Sequence, residues 1–206
     1  MMDDEDDVGR WQRIQRPSIG RWVLIATLVV VVPLLLLAAI IFGAGRSLAF
    51  GAIQRLTARK FPTVEWVDSG ELARWRSDSS RGPPVLLDAR TPPEYAVSHL
   101  KGAIRIDPRT PSLRTVSALP RDTGVVVYCT VGYRSARVAQ WLRRQGFHSV
   151  YDLAGGLFAW ANEGRPMEAD GRPVLQVHPY NEFWGRLLEP KARADRPPVT
   201  DPLSLP

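Results

Sequence analysis

Apolar and polar residues follow two different periods along most of this chain, and one stretch has no period because it has no polar face. From Trp22 to Phe42 the sequence reads WVLIATLVVVVPLLLLAAIIF without a charged residue. At about 1.5 Å per residue a helix of that length is roughly 30 Å long, the thickness of a bilayer's hydrocarbon core. Residues 22–42 are therefore expected to form a single transmembrane helix. Pro33 interrupts the run, which membrane helices tolerate, and the run exceeds the roughly 7–15-residue apolar core of a cleaved signal peptide. A tail of mixed acidic and basic residues, 1–21, precedes it. A basic juxtamembrane linker, 43–61, follows, in which Leu48, Ala52 and Leu56 fall at helical spacing. That linker is read as a connector, with an interfacial amphipathic helix as the alternative.

Beyond it, short apolar runs alternate with helical patterns. VEWV (64–67), VLLDA (85–89), AIRI (103–106), VVVYC (125–129) and SVYDL (149–153) read as strands, and the unbroken apolar run of the fourth marks a strand buried on both faces. Helical segments lie between them at 68–75, 92–100, 135–146 and 155–164. The first opens with Asp68 followed three residues later by Glu71, a capping-box pattern. In the third, Val138 and Leu142 mark the inner face and Gly146 stands where a left-handed cap ends a helix. This alternation predicts an α/β domain over 62–166, helices flanking a mainly parallel sheet. An extension over 167–190 has Val174, Leu175, Val177, Tyr180, Phe183, Trp184 and Leu187 to bury, whereas 191–206 is proline-rich with little to bury and is expected to be disordered.

Charge narrows the partners. The formal net charge is +6, but the cations are arginines scattered through helices and loops, with lysine only at 60, 101 and 191. No basic stripe interleaves with aromatic residues, so nucleic acid is not an expected partner. Cysteine occurs once, at 129, which rules out an internal disulfide and a cysteine-rich zinc site and leaves an inert thiol, an intermolecular bridge or a nucleophile. No metal or organic cofactor is expected.

The position of Cys129 favours the nucleophile. It ends a buried strand, and the loop after it feeds a helix, where backbone N–H groups and the helix dipole converge on one point. Gly132 is free to adopt the positive φ that turns successive amides inward, and Arg134 adds a permanent cation. Such surroundings favour thiolate over thiol.

CTVGYRS (129–135) resembles the active-site loop Cys-x-x-Gly-x-Arg-Ser of single-domain rhodaneses. VLLDARTPPEYAVSHLKGAIRI (85–106) is similar to that family's upstream Asp-x-Arg, Glu-Tyr and His-Leu/Ile-x-Gly-Ala signature, and YDLAGGLFAWANEGRPM (151–167) to its closing Gly-Gly-x-x-x-Trp segment. The resemblance implies a three-layer fold around a five-stranded parallel sheet. It also implies a sulfurtransferase that carries sulfur as a Cys129 persulfide between a donor, thiosulfate or a persulfide, and a thiol or cyanide-type acceptor. Thr130, Val131, Gly132, Tyr133, Arg134 and Ser135 would form the substrate loop. Arg134 would steady that loop or hold the donor's oxyanion, with a salt bridge to a nearby carboxylate as the equal alternative. Asp88, Arg90 and Glu94 match supporting positions, the first two as a buried ion pair, and His99 matches a histidine that hydrogen-bonds a loop. The chain departs from the pattern at Thr130, where some thiosulfate-using members have a second cation, and at Ser98, which replaces a glycine.

Two other readings stand beside this one. A phosphatase or arsenate reductase of the same fold uses Cys-x5-Arg, one residue longer than the spacing here. A rhodanese-like binding or regulatory module at the membrane usually lacks the cysteine. Four cations precede the apolar run and four follow it, at 10, 13, 16 and 21 and at 46, 55, 59 and 60. Counting positive residues therefore leaves orientation tied. The acidic start and the need for reduced thiols to reload a persulfide favour a single-pass protein of the inner (plasma) membrane with its catalytic domain in the cytoplasm.

Overall fold

Alternating apolar strands and amphipathic helices close into one layered domain because each strand needs both faces covered. The computed structural model describes residues 19–195. Helix α1, Ile19–Lys60, comes first, then β1 (Glu65–Val67), α2 (Ser69–Ser77), β2 (Val85–Asp88), α3 (Pro92–Val97), β3 (Ile104–Arg105), β4 (Val125–Tyr128), α4 (Tyr133–Arg144), β5 (Val150–Leu153) and α5 (Gly156–Asn162). An antiparallel hairpin, β6 (Met167–Ala169) with β7 (Arg172–Val174), and the short α6 (Glu182–Gly185) complete the order. The five strands β1 to β5 form one sheet in the order β1-β5-β4-β2-β3, every pair parallel. This is the expected α/β architecture with its five-stranded parallel sheet.

The sheet's two faces bury separate cores. On one, Leu86, Val126, Tyr128 and Leu153 meet Leu72 and Trp75 of α2 and Leu157 and Phe158 of α5. On the other, Leu87, Val125, Val127, Cys129 and Val150 meet Ala136, Val138, Ala139 and Leu142 of α4. The local signals hold: Asp68 and Glu71 form a reciprocal capping box, and Gly146 takes φ 89° just past α4.

Chain contacts divide the protein at Gly45/Arg46. In the first unit the described residues are helical, with Trp22, Val23, Leu24, Leu28 and Val29 exposed. Side chains at 35–42, the second half of the expected membrane span, lie outside the described residues. Among the described residues no helix is long and apolar enough to cross a membrane. In the second unit the stretch expected as a connector is helical up to Lys60. Its physical cause is a face the sequence reading passed over: Phe50 and Ile53 pack against the core, and Thr57 on the same side is buried.

The expected tail of 191–206 also differs where it is described. Residues Pro190–Ala192 form a turn of 3₁₀ helix, Arg193 bridges to Val177, and Ala192 and Ala194 are buried. Small side chains let this strand of backbone pack closely, which a count of prolines does not register. Residues 196–206, and positions 1–18 of the tail expected at 1–21, lie outside the described residues; the last three residues of that tail already belong to α1.

Candidate active site

Cys129 follows the last residue of β4, at the carboxyl end of the sheet's central strand, where open α/β sheets bind ligands. Gly132 is the N-cap of α4 with φ 107°, a conformation that a side chain would strain. That turn points the Gly132 N–H at Cys129, and it donates to Sγ at 3.2 Å. The dipole of α4 adds partial positive charge at the same end. The loop is also clamped from below. Leu157 N–H donates to the Cys129 carbonyl at 2.8 Å and Phe158 N–H to that of Thr130 at 3.1 Å. Gly156 allows this approach, since a Cβ there would lie 2.5 Å from the Cys129 oxygen and 2.6 Å from the Thr130 oxygen. The Gly-Gly of the closing segment thus lets α5 seat its first amides on the cysteine loop.

Arg134 turns towards a carboxylate. Its Nη1 donates to Glu94 Oε2 at 2.9 Å and its Nη2 to Oε1 at 2.7 Å, a bidentate fork in which both partners are nearly fully buried. Nη2 also donates to Thr130 Oγ1 at 2.7 Å, and the Thr130 hydroxyl donates to Glu94 Oε1 at 2.9 Å. Thr91 completes the cluster through its amide and hydroxyl, at 3.0 and 2.7 Å from Glu94 Oε2. Burial raises the Glu94 pKa, but the hydrogen bonds and charge of Arg134, with Arg90 and Thr91, outweigh it and bring it down to about 2. Burial likewise opposes the charge on Arg134, and Glu94 overrides it, so that guanidinium titrates above its ordinary range.

Beneath the loop, Arg90 Nε and Nη2 donate to Asp88 at 2.9 and 2.6 Å, both side chains being buried. Arg90 also donates to the Ser98 carbonyl. Ser98 has φ −171°, extended backbone open to any residue, which accounts for a serine in a glycine's place. Tyr128, buried beside this pair, accepts the Leu100 N–H at 3.0 Å, and burial pushes its hydroxyl well above the usual phenol range. His99 stacks on Tyr95 and bonds its carbonyl through Nδ1 at 3.0 Å, with Nε2 3.8 Å from Glu168.

Elements outside the recognised motifs cover the site. Lys60 at the end of α1 donates to the Tyr133 hydroxyl, and Phe61 packs edge-on against the same ring. Tyr180 of the extension lies over the Arg134 guanidinium, 5.2 Å from Cζ to ring centre. Cys129 is 0% exposed in this arrangement. A cleft of about 330 Å³ opens beside the loop, walled by Val131, Tyr133, Ile53, Leu56, Lys60 and Trp184. No group of metal-ligating side chains occurs among the described residues.

One buried residue of the site escaped the sequence reading. Asp152 of β5 pairs with Val127 of β4, two residues before Cys129 and on the same face of the sheet. Its carboxyl group is 0% exposed and has no hydrogen bond of normal geometry on either oxygen, although the Ser135 hydroxyl and the Leu153 amide lie near enough to favour its charge. The signal was a carboxylate inside the apolar run SVYDL, at a position whose side chain must point into a covered face.

A family model of the rhodanese-like domain matches residues 71–163. A sulfurtransferase from Allochromatium vinosum is 35% identical over 106 residues, 52% of this chain and 96% of that protein. The probable adenylyltransferase/sulfurtransferase MoeZ of Mycobacterium tuberculosis is 32% identical over 104 residues, 50% of this chain and 24% of that one. Among solved structures, thiosulfate sulfurtransferase from Pseudomonas aeruginosa aligns with a TM-score of 0.50 and 25% identity, over 58% of this chain and 23% of that one. The chain therefore spans almost all of the first relative and about a quarter of the other two. With its cysteine loop, the five-stranded parallel sheet and a relative matched nearly end to end, the chain belongs to the rhodanese-like family.

Proposed function

We propose that the protein is a membrane-anchored sulfurtransferase that moves a sulfane sulfur through a persulfide on Cys129. The observation that carries the reading is the Gly132 N–H held 3.2 Å from Cys129 Sγ at the start of α4. Cys129 thiolate attacks the outer sulfur of a donor such as thiosulfate. A sulfur–sulfur bond forms to Cys129, that of the donor breaks, and sulfite leaves with its electron pair. An acceptor thiolate or cyanide then takes the outer sulfur and returns Cys129 as thiolate. Two half-reactions of this kind give ping-pong kinetics, and fixed N–H dipoles stabilise each anion without reorganising.

The engaged fork of Arg134 speaks against phosphate as the substrate. A phosphoryl group needs a guanidinium free for bidentate contact, and both terminal nitrogens here face Glu94 and Thr130. Four residues between Cys129 and Arg134 also make a narrower cradle than the five of phosphatase loops. Anchoring at the membrane is supported by the charge-free run at 22–42 and by the exposed apolar side chains described between Trp22 and Leu34 on a helical backbone. Reduced thiols for reloading favour the cytoplasmic face.

A second reading, a binding or regulatory module, is favoured by the complete burial of Cys129. One experiment separates the three. Full-length protein treated with a sulfane donor gains the mass of one sulfur atom on Cys129, and Cys129→Ser abolishes thiocyanate formation from cyanide. Phosphatase activity without an adduct would instead establish the phosphatase reading. A cellular phenotype that survives Cys129→Ser would establish the binding module.

A further inference from the structure

An acidic side chain on the same sheet face as Cys129 is not used by the reaction outlined above. Asp152 shares its register position with Val127 and its sheet face with Cys129. It also faces Trp66 across β1. A Cβ on Gly132, whose amide binds Sγ, would sit 3.7 Å from Asp152 Oδ2, so the carboxyl group borders the same turn. The Ser135 hydroxyl, in the first turn of α4, is also fully buried and has no hydrogen-bond partner of normal geometry. The terminal nitrogens of Arg134 are turned to Glu94 and Thr130, although its charge still acts on Cys129 across the loop.

An ionised carboxylate buried in an apolar face without a well-formed hydrogen bond is strongly unfavourable. A second negative charge on the adjacent sulfur would make it worse. Both problems vanish if the acid keeps its proton and the sulfur keeps the charge. We propose that Asp152 carries a proton and presents it to the sulfur of Cys129, as a second hydrogen-bond donor opposite the Gly132 amide. Asp152 then stabilises the attacking thiolate, and does so again when Cys129 becomes the leaving group as an acceptor removes the outer sulfur. The proton remains on the carboxyl group in both half-reactions, so no base or co-reactant is required. Burial first, and then the neighbouring cysteine charge, hold this carboxyl group well above the usual carboxylate range; Ser135 and the Leu153 amide pull weakly the other way. Cys129 is the titratable group acting on it from the loop, and α4 presents only the Ser135 hydroxyl.

The inference rests on Cys129 being the sulfur carrier, but its test needs no sulfur donor. Cys129 is the chain's one cysteine, so ultraviolet thiolate absorbance, taken against Cys129→Ser, reads this sulfur alone. Asp152→Leu removes the donor, with a bulkier side chain, and should leave about tenfold less thiolate at pH 7 than the wild type, a shift of roughly one pH unit in the titration. Asp152→Asn keeps a neutral donor and should stay within about threefold. If the asparagine variant loses as much as the leucine variant, hydrogen-bond donation is not the cause and the proposal falls; it falls equally if neither changes the titration, or if both variants gain thiolate, the sign of an ionised carboxylate. Should the leucine variant fail to fold, infrared spectra of the wild type and Asp152→Asn decide. A protonated-carboxyl band at neutral pH that the asparagine variant lacks supports the proposal, and no such band in the wild type overturns it. A protein that shows the shift yet never takes up sulfur would keep this inference and lose only the transfer reading.

Discussion

Glu94→Gln is the substitution that reports most directly on how the loop is held. The wild-type carboxylate accepts five hydrogen bonds, from the Thr91 amide and hydroxyl, the Thr130 hydroxyl and both terminal nitrogens of Arg134. Glutamine keeps the shape but replaces one acceptor oxygen with an NH₂ group that meets donors. It also leaves the Arg134 charge uncompensated at 5% exposure. Breaking one side of a buried ion pair costs about 3–5 kcal/mol. A second route gives the same scale: a carboxyl group taken from 4.5 to about 2 on folding contributes on the order of 3 kcal/mol. The sign follows from the depressed value. The contribution is complete above about pH 4.5 and is lost as pH falls through 2, where a protonated Glu94 resembles glutamine. Urea melts at pH 7 should show Glu94→Gln less stable by about 3–5 kcal/mol, with Tm lower by roughly 6–20 °C. The gap should narrow steadily below pH 4.5. A gap under about 1 kcal/mol at pH 7, or one that persists unchanged into acid, would refute the brace, since an exposed pair is worth only that much.

Three further outcomes are expected. Gly156→Ala should lose at least about 2 kcal/mol and most sulfur uptake, because its Cβ meets the Cys129 and Thr130 carbonyls; Gly146→Ala, with open space around it, should lose only about 1–2 kcal/mol and keep uptake. Thermal melts of both, paired with mass spectrometry of the adduct, check this. Asp152→Asn should raise Tm more at pH 7 than at pH 4, since an acid with a raised folded pKa lowers stability as pH climbs above 3.8; an equal gain at both would show that charge is not the cause. A reporter fused after residue 206 should behave as cytoplasmic, and periplasmic behaviour would reverse the proposed orientation.

The parts of this protein legible in its sequence are those where a local rule and the fold agree. An unbroken run of β-branched residues gave the central strand, Asp68 with Glu71 gave a helix start, and a lone cysteine between a strand and a glycine gave the loop. Less was visible wherever a side chain's partner is remote in sequence. Nothing local shows that the guanidinium of Arg134 would turn to a carboxylate forty residues earlier, and a salt bridge and an oxyanion clamp look alike from the motif. Asp152 was hidden for a related reason, since its significance lies in the β4–β5 register that sets it beside Cys129, and register belongs to two strands at once.

The same consideration locates the source of anion stabilisation at Cys129. A motif containing arginine invites the view that the cation holds the anion. Here the cation is matched by Glu94, and the net charge of that buried pair is zero. What the structure sets on the sulfur is an amide on a left-handed glycine at the start of a twelve-residue helix, with the buried Asp152 carboxyl group on the same sheet face. Neutral dipoles of this kind suit a singly charged sulfur, because they stabilise it without an opposing charge to bind it too tightly for release. Electrostatics at this site therefore follow from two pieces of backbone geometry and, on the proposal above, one carboxyl proton, while the arginine fixes the loop on which they depend.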